Sequence, residues 1–357
     1  MSEEGKNETS RRSGRRGSSG PTVSDVAKKA GVSLMTVSRV VNGESSVLPA
    51  TRLRVEQAIG ELGYVPNPAA RSLAGGRQCR IALVYNNPST AYLSEFLVGS
   101  LEGATQNDAQ LTVENWDGVE SVESLARRFR NHRIDAVLLP PPLCEHAALI
   151  EALSAVHIRV AQVAAGEPSS HVFAVTLEDE EAAHAITSHL VALGHRRIGF
   201  IAGNLDQSVS VRRRMGYERA IAQAGLEIDP DLIQQGDFTY RSGMIAAERL
   251  LSLDNPPSAI FASNDDMAAG VLSVAHRRHL EVPDDLSVCG YDDTAMATSV
   301  WPELTTIRQP IADMAREATA LLSKAKRSKG AMAAPQHRQL PYELVERGST
   351  ARKRARR

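Results

Sequence analysis

From residue 80 onward, short apolar runs alternate with longer segments whose apolar positions recur every three or four residues. The runs at 80–85 (RIALVY), 136–139, 159–163, 197–201, 259–262 and 287–290 have the length of strands covered on both faces. Helical spacing appears between them at 93–107, 180–193, 212–224, 243–253 and 265–276. This alternation predicts an α/β body of doubly wound parallel sheets, with any ligand held beyond the carboxyl ends of the strands.

The N-terminal part follows a different rhythm. In 22–42 (TVSDVAKKAGVSLMTVSRVVN), Thr22 can cap a first helix, Asp25 stands three positions on, and Val26, Ala27 and Ala30 share one face. Gly31 ends that helix. Ser33 can cap a second one, with Val37, Val40 and Val41 inward and Leu34, Met35, Ser38 and Arg39 outward. Two short helices about a glycine turn predict a small all-α helix-turn-helix, whose second helix offers its first residues to the major groove. Leu34 and Met35 either meet thymine methyl groups or pack locally. Thr36, Ser38 and Arg39 are polar candidates, and Arg39 suits either a guanine edge or a phosphate. Thr22, Ser33 and Asn42 complete the DNA-facing set in this segment. A third helix fits 48–64, with Val55, Ala58, Ile59 and Leu62 at helical spacing.

Residues 67–73 (NPAARSL) are too few to hold a helix alone, because nucleation is costly in so short a segment. Their ordering calls for a DNA surface and the same segment of a second subunit. Leu73 has no core to join in such a linker and suits a wedge between base steps; Asn67 and Ala70 accompany it. Gly75 and Gly76 make a flexible joint, and the spacing of a phosphate-binding loop is absent around them.

Composition adds the distribution of charge. The chain has 357 residues and a net charge of −1, yet residues 1–80 carry 13 basic and 7 acidic side chains, and 351–357 carry 5 basic and no acidic ones. The stretch between them holds 23 basic and 35 acidic groups. A polyanion is therefore expected at the ends alone, with salt-sensitive affinity. Residues 1–20 are expected to form a disordered basic tail, and 351–357 a second basic tail. No apolar run of about 18 residues and no charged-then-apolar leader is present, which predicts a cytoplasmic protein without membrane contact. Cys79, Cys144 and Cys289 lack metal-ligand spacing and are expected to be reduced packing residues.

The head segment, the third helix and 66–75 (PNPAARSLAG) together resemble the LacI/GalR family of bacterial transcriptional regulators. So do 195–201 (HRRIGFI), 262–270 (ASNDDMAAG), 290–293 (GYDD), 304–307 (LTTI) and 344–350 (LVERGST). The resemblance covers about 22–350 and implies a head at 21–66, a hinge helix and linker at 67–77, and a periplasmic-binding-protein-like body at 78–350. It further implies an N-subdomain of about 78–178 and 311–337, and a C-subdomain of about 179–310 and 338–350. The chain would cross between them near 178, 310 and 337. Leu34 and Met35 then match the family's specificity-determining pair and Leu73 its hinge leucine, on a homodimer bound to palindromic double-stranded operator DNA.

Effector candidates cluster at expected strand ends: Tyr85 and Asn86, with Asn87, after the first, and Asn264 and Asp292 after two later ones. The resemblance adds Arg213 as a binder of hydroxyls or carboxylates and Phe238 as a ring against a sugar face. Gln309 sits at a crossover, and Gln162 stands where sugar-binding members often carry an acid. Each has a plain alternative, since Asn264 or Asp292 can cap a helix and Arg213 can form an ion pair. The set suits a small-molecule effector, a sugar above all, and also admits a nucleoside or purine corepressor.

Catalysis is not expected. The chain has no G-x-S-x-G, H-E-x-x-H or phosphate-loop motif, and His184, His189 and His195 do not share one helix face. No catalytic residue, metal ligand or cofactor is assigned. A solute-binding protein for transport shares the body fold but calls for an export signal and no DNA head. The expectation is a repressor whose operator affinity depends on the effector.

Overall fold

The computed structural model describes residues 21–41, 47–64, 78–327 and 334–353. The expected tail at 1–20, Asn42, the hinge with Asn67, Ala70 and Leu73, and the last four residues lie outside the described residues. The chain divides into two units, Met1–Arg77 and Gln78–Arg357.

The first unit contains α1 (Val23–Ala30), α2 (Leu34–Val41) and α3 (Pro49–Leu62). Thr22 and Asp25 form a reciprocal capping box at the start of α1, and Gly31 closes it in the left-handed region at φ 65°. Ser33 Oγ accepts from Thr36 N at 3.2 Å and so caps α2. Val26, Ala27, Ala30, Val37, Val40, Val55 and Ala58 form the core, with Val41, Ile59 and Leu62 packed against it. Seven small or β-branched side chains fill the space between three short helices.

The second unit opens with β1 (Cys79–Tyr85), α4 (Thr90–Gln106), β2 (Ala109–Asn115), α5 (Val122–Asn131), β3 (Ala136–Leu139), α6 (Ala147–Ala155), β4 (Arg159–Val163) and β5 (Phe173–Thr176). It continues with α7 (Asp179–Ala192), β6 (Ile198–Ala202), α8 (Ser208–Gln223), β7 (Ile233–Gln235), α9 (Tyr240–Leu251), β8 (Ala259–Ala262), α10 (Asp265–Arg277), β9 (Ser287–Asp292), α11 (Ala295–Ser299) and β10 (Thr305–Arg308). It closes with α12 (Ile311–Arg327), β11 (His337–Gln339) and β12 (Glu343–Val345).

Two six-stranded sheets result, ordered β11-β5-β4-β3-β1-β2 and β12-β10-β9-β8-β6-β7. All neighbours are parallel except β12, which runs antiparallel to β10. In each sheet the chain steps outward once and then reverses, so crevices open between β1 and β3 and between β6 and β8. The chain passes between sheets after β5, after β10 and after β11. His337–Gln339 still pairs with β5, so the third passage falls at 340–342 rather than near 337.

β2, β5, β7, β10, β11, β12, α5, α6, α11 and α12 go beyond the expected elements. β2 is an edge strand with mostly exposed or half-buried positions, so it shows no apolar run. Buried clusters cover both faces of each sheet, and α4 packs against α12 as α7 packs against α8. Gly99 on α4 permits that first contact, since a Cβ there would lie 2.0 Å from Ala312 O. All three cysteines are buried. Among the described residues no helix is long and apolar enough to cross a membrane.

Candidate functional site

In the head, Leu34 and Met35 are 53% and 65% exposed, unusual for large apolar side chains in a unit so small. They open α2 on the face opposite its valines. Arg39, one turn on, is exposed and reaches Met35 Sδ at 3.7 Å, while Ser38 is half-buried. Thr22, Ser33 and Thr36 use their hydroxyls in the caps of α1 and α2.

In the body, the carboxyl ends of both sheets border one cleft with about 430 Å³ of empty space, its open mouth included. The first sheet contributes Asn87, Pro88, Ser89 and Tyr92 after β1, Pro141 after β3 and Ala164 after β4. The second contributes Gln207, Val209 and Arg213 after β6, Phe238 after β7, Asn264 after β8, Asp292 at the end of β9 and Gln309 after β10.

Arg213 organises the second wall. Its Nε donates to Asp179 Oδ1 at 2.8 Å, Nη1 to Ser263 O at 2.6 Å and Nη2 to Gln309 Oε1 at 3.4 Å. The guanidinium lies over the Tyr291 ring, 3.6 Å from its centroid, and Tyr291 Oη donates to the same Asp179 oxygen at 2.9 Å. Burial opposes the arginine charge, but Asp179, Tyr291 and Asp292 outweigh that, and its pKa stands above the ordinary value.

Asp292 sits at φ 107° and is 5% exposed. Burial pushes its carboxyl well above the usual range, against the pull of Arg213. Beneath it, burial raises Asp265 to about 7 although Thr306 and Thr294 donate to it. Phe238, at φ 67°, lays its ring on Gly203, where a Cβ would come within 1.9 Å of Cζ. Asn264 caps α10 through Met267 N at 2.9 Å and donates to Phe238 O at 2.9 Å, which ties the ring to the helix start.

Contacts also join the walls. Ser89 Oγ donates to Asp266 Oδ2 at 2.5 Å. Glu145, after β3, accepts from Ser208 N at 2.8 Å, from the Ser208 hydroxyl and from Gly166 N at 3.0 Å. One subdomain thus supplies the anionic cap for α8 of the other.

Residues 22–67 match the family model described as bacterial regulatory proteins, lacI family, and 187–350 match a periplasmic binding protein-like domain. Catabolite control protein A of Priestia megaterium is 35% identical over 307 residues, covering 85% of this chain and 92% of the relative. The chain belongs to the LacI family. Its solved neighbours include a complex of the transcriptional regulator CelR with cellobiose, at 31% identity and a TM-score of 0.68 over 92% of this chain and 99% of that one. A lac repressor dimer bound to operator and the anti-inducer ONPF is 29% identical, with a TM-score of 0.68 over 93% and 100% of the two chains. This LacI-family protein is a DNA-binding transcriptional regulator with a helix-turn-helix head and an effector-binding body, not an enzyme.

Of the expected effector residues, Arg213, Phe238, Asn264, Asp292 and Gln309 meet in the cleft. Tyr85, Asn86 and Gln162 do not line it. The lining begins at Asn87, the last of the three candidates after the first strand, because the chain runs on past β1 before Ser89 caps α4. Gln162 is 2% exposed and bonds Cys144 O and Ser169 N, which makes it a brace between loops. Pro88, Ser89, Tyr92, Pro141, Gln207 and Val209 were not foreseen. The available signal was Ser89, a helix-capping residue three positions before Tyr92, which starts α4 at Thr90 rather than at 93. His184, His189 and His195 bond Gln223, Thr350 and Ser258 respectively, outside the cleft lining. Among the described residues no group of three or more His, Cys, Asp or Glu side chains is placed to hold a metal ion.

Proposed function

We propose that this regulator is a cytoplasmic homodimer that represses transcription at a palindromic operator and that a neutral sugar in the cleft changes its operator affinity. The observation that carries the reading is one cleft presenting Arg213, Asp292, Asn264, Gln309 and the Phe238 ring together, at the ends of both sheets. Polar groups of this kind bond hydroxyls, and the ring offers an apolar face to a sugar. The CelR–cellobiose complex and the operator-bound lac repressor dimer support the ligand class and the assembly.

In this reading Leu34, Met35, Thr36, Ser38 and Arg39 read the major groove, with Thr22, Ser33 and Asn42 beside the phosphates. Asn67, Ala70 and Leu73 lie in a hinge that orders on DNA, with Leu73 between base steps. Effector binding favours one angle between subdomains, and operator affinity follows from the difference between the two states. The test is selection of bound duplexes from random DNA by the purified full chain, followed by titration of the recovered site with neutral sugars. A palindrome whose affinity responds to a sugar supports the reading; binding without sequence preference, or without response to any sugar, counts against it.

A further inference from the structure

Among the described residues Arg159 is the one half-buried arginine whose side chain makes neither a hydrogen bond nor an ion pair. Other half-buried arginines, Arg128, Arg219, Arg278 and Arg347 among them, each meet a carboxylate. Asp135 accepts from Arg159 N at 3.3 Å through its backbone oxygen, but spends its carboxylate on Arg80 N and Lys326 Nζ. A guanidinium partly withdrawn from water and left without a counter-charge is unfavourable for the free chain.

Arg159 opens β4 and Phe173 opens β5. The amino-terminal ends of these parallel strands, opposite to the ends that border the cleft, form a second hollow. It holds about 800 Å³ of empty space, its open mouth included, and shares no lining residue with the cleft. Ser154 and His157 come to it from the end of α6, and Ser170 and His171 from the turn before β5. The buried Val160 and Phe173 add apolar surface. None of those four polar side chains is spent on a bond to another described residue, and no acid stands among the described lining.

We propose that this hollow is a second ligand site, for a small phosphate-bearing molecule, separate from the effector cleft. The guanidinium fork pairs two phosphate oxygens, and the ring N–H groups and hydroxyls supply donors for the third. A carboxylate offers only two oxygens and leaves part of that donor set unused. The concave shape with apolar surface inside it fits a small molecule rather than the backbone of a duplex.

The experiment is calorimetric titration of the full-length protein with inorganic phosphate and with ribose 5-phosphate, at an ionic strength held constant with chloride. It compares wild type with Arg159→Gln, His171→Gln and Asp292→Asn, and melts all four free proteins. Wild type is expected to saturate with at least one probe in the millimolar range or below. Arg159→Gln binds that probe about 30-fold more weakly, the loss of a charge-assisted bond. His171→Gln, which loses one exposed donor, binds it about 5-fold more weakly at an unchanged melting temperature. Asp292→Asn, altered in the cleft wall, binds it as wild type does. Wild type that does not saturate overturns the proposal, as does wild-type affinity in both Arg159→Gln and His171→Gln. An affinity that changes in Asp292→Asn alone puts the phosphate in the cleft and overturns it too. Weaker binding confined to an Arg159→Gln protein that also melts lower, with His171→Gln unaffected, assigns Arg159 to packing and overturns the site.

Discussion

The wall from the second sheet brings Arg213, Asp292, Asn264 and Gln309 to the cleft, while the wall from the first brings Asn87, Ser89 and Tyr92 beside Pro141 and Ala164. On the second wall an ion pair, an aromatic face and helix caps fix the polar groups before any ligand arrives. The first wall is less charged and touches its neighbour through Ser89 and Glu145. Under the proposed reading this difference predicts a division of work, in which the second wall supplies most of the polar recognition and the first closes on it. Preorganised donors and acceptors lose little freedom on binding, and a wall with few charged groups has few to separate from their partners when it moves.

Removal of the central cation is expected to have the largest effect. Arg213→Ala leaves Asp179 buried without its partner and lowers folding stability by about 4 kcal/mol, read from urea unfolding. Next comes pH. Asp265, pushed up to about 7 from an ordinary 3.8 by burial, binds its proton more tightly folded than unfolded. Its contribution to stability is therefore greatest below about 4, declines as pH rises through about 7 and is flat above. Asp265→Asn should remove that part of the slope in unfolding curves recorded across the range.

Asp292→Asn is expected to weaken a neutral sugar by about 30-fold, the loss of a hydrogen bond to a carboxylate, as measured by calorimetry. The variant should also be more stable at neutral pH, since burial disfavours the charged carboxyl it removes. The smallest effect belongs to the first wall. Glu145→Ala removes the cap on α8 and costs about 1 kcal/mol, with a wider spread of distances between spin labels placed on α6 and α9. A Glu145 variant that lost sugar affinity as strongly as Asp292→Asn would break the division between walls.

The second wall was more legible in the sequence than the first. GYDD ends a run of apolar residues, so Asp292 falls at a strand end, and the first helical turn after SND leaves Asn264 at another. The first wall depends on where a loop becomes a helix. Asn87, Ser89 and Tyr92 reach the cleft because α4 begins three residues before the apolar spacing announces it. Gln162 was not legible, because 159–163 carries apolar residues at both parities; in the structure Ala161 and Val163 join one buried cluster and Val160 another, so Gln162 shares the side of Val160. The short or edge strands β2, β7, β11 and β12 carry too few buried positions to reveal a period or an apolar run.

The most direct test of the account is the ratio of operator affinities with and without a bound neutral sugar, measured for wild type and for Asp292→Asn on the duplex recovered by selection. The account predicts a ratio far from one for wild type and close to one for the variant at the same sugar concentration. An identical ratio in both proteins would show that the cleft wall holding Asp292 does not sense the effector, and would contradict the account.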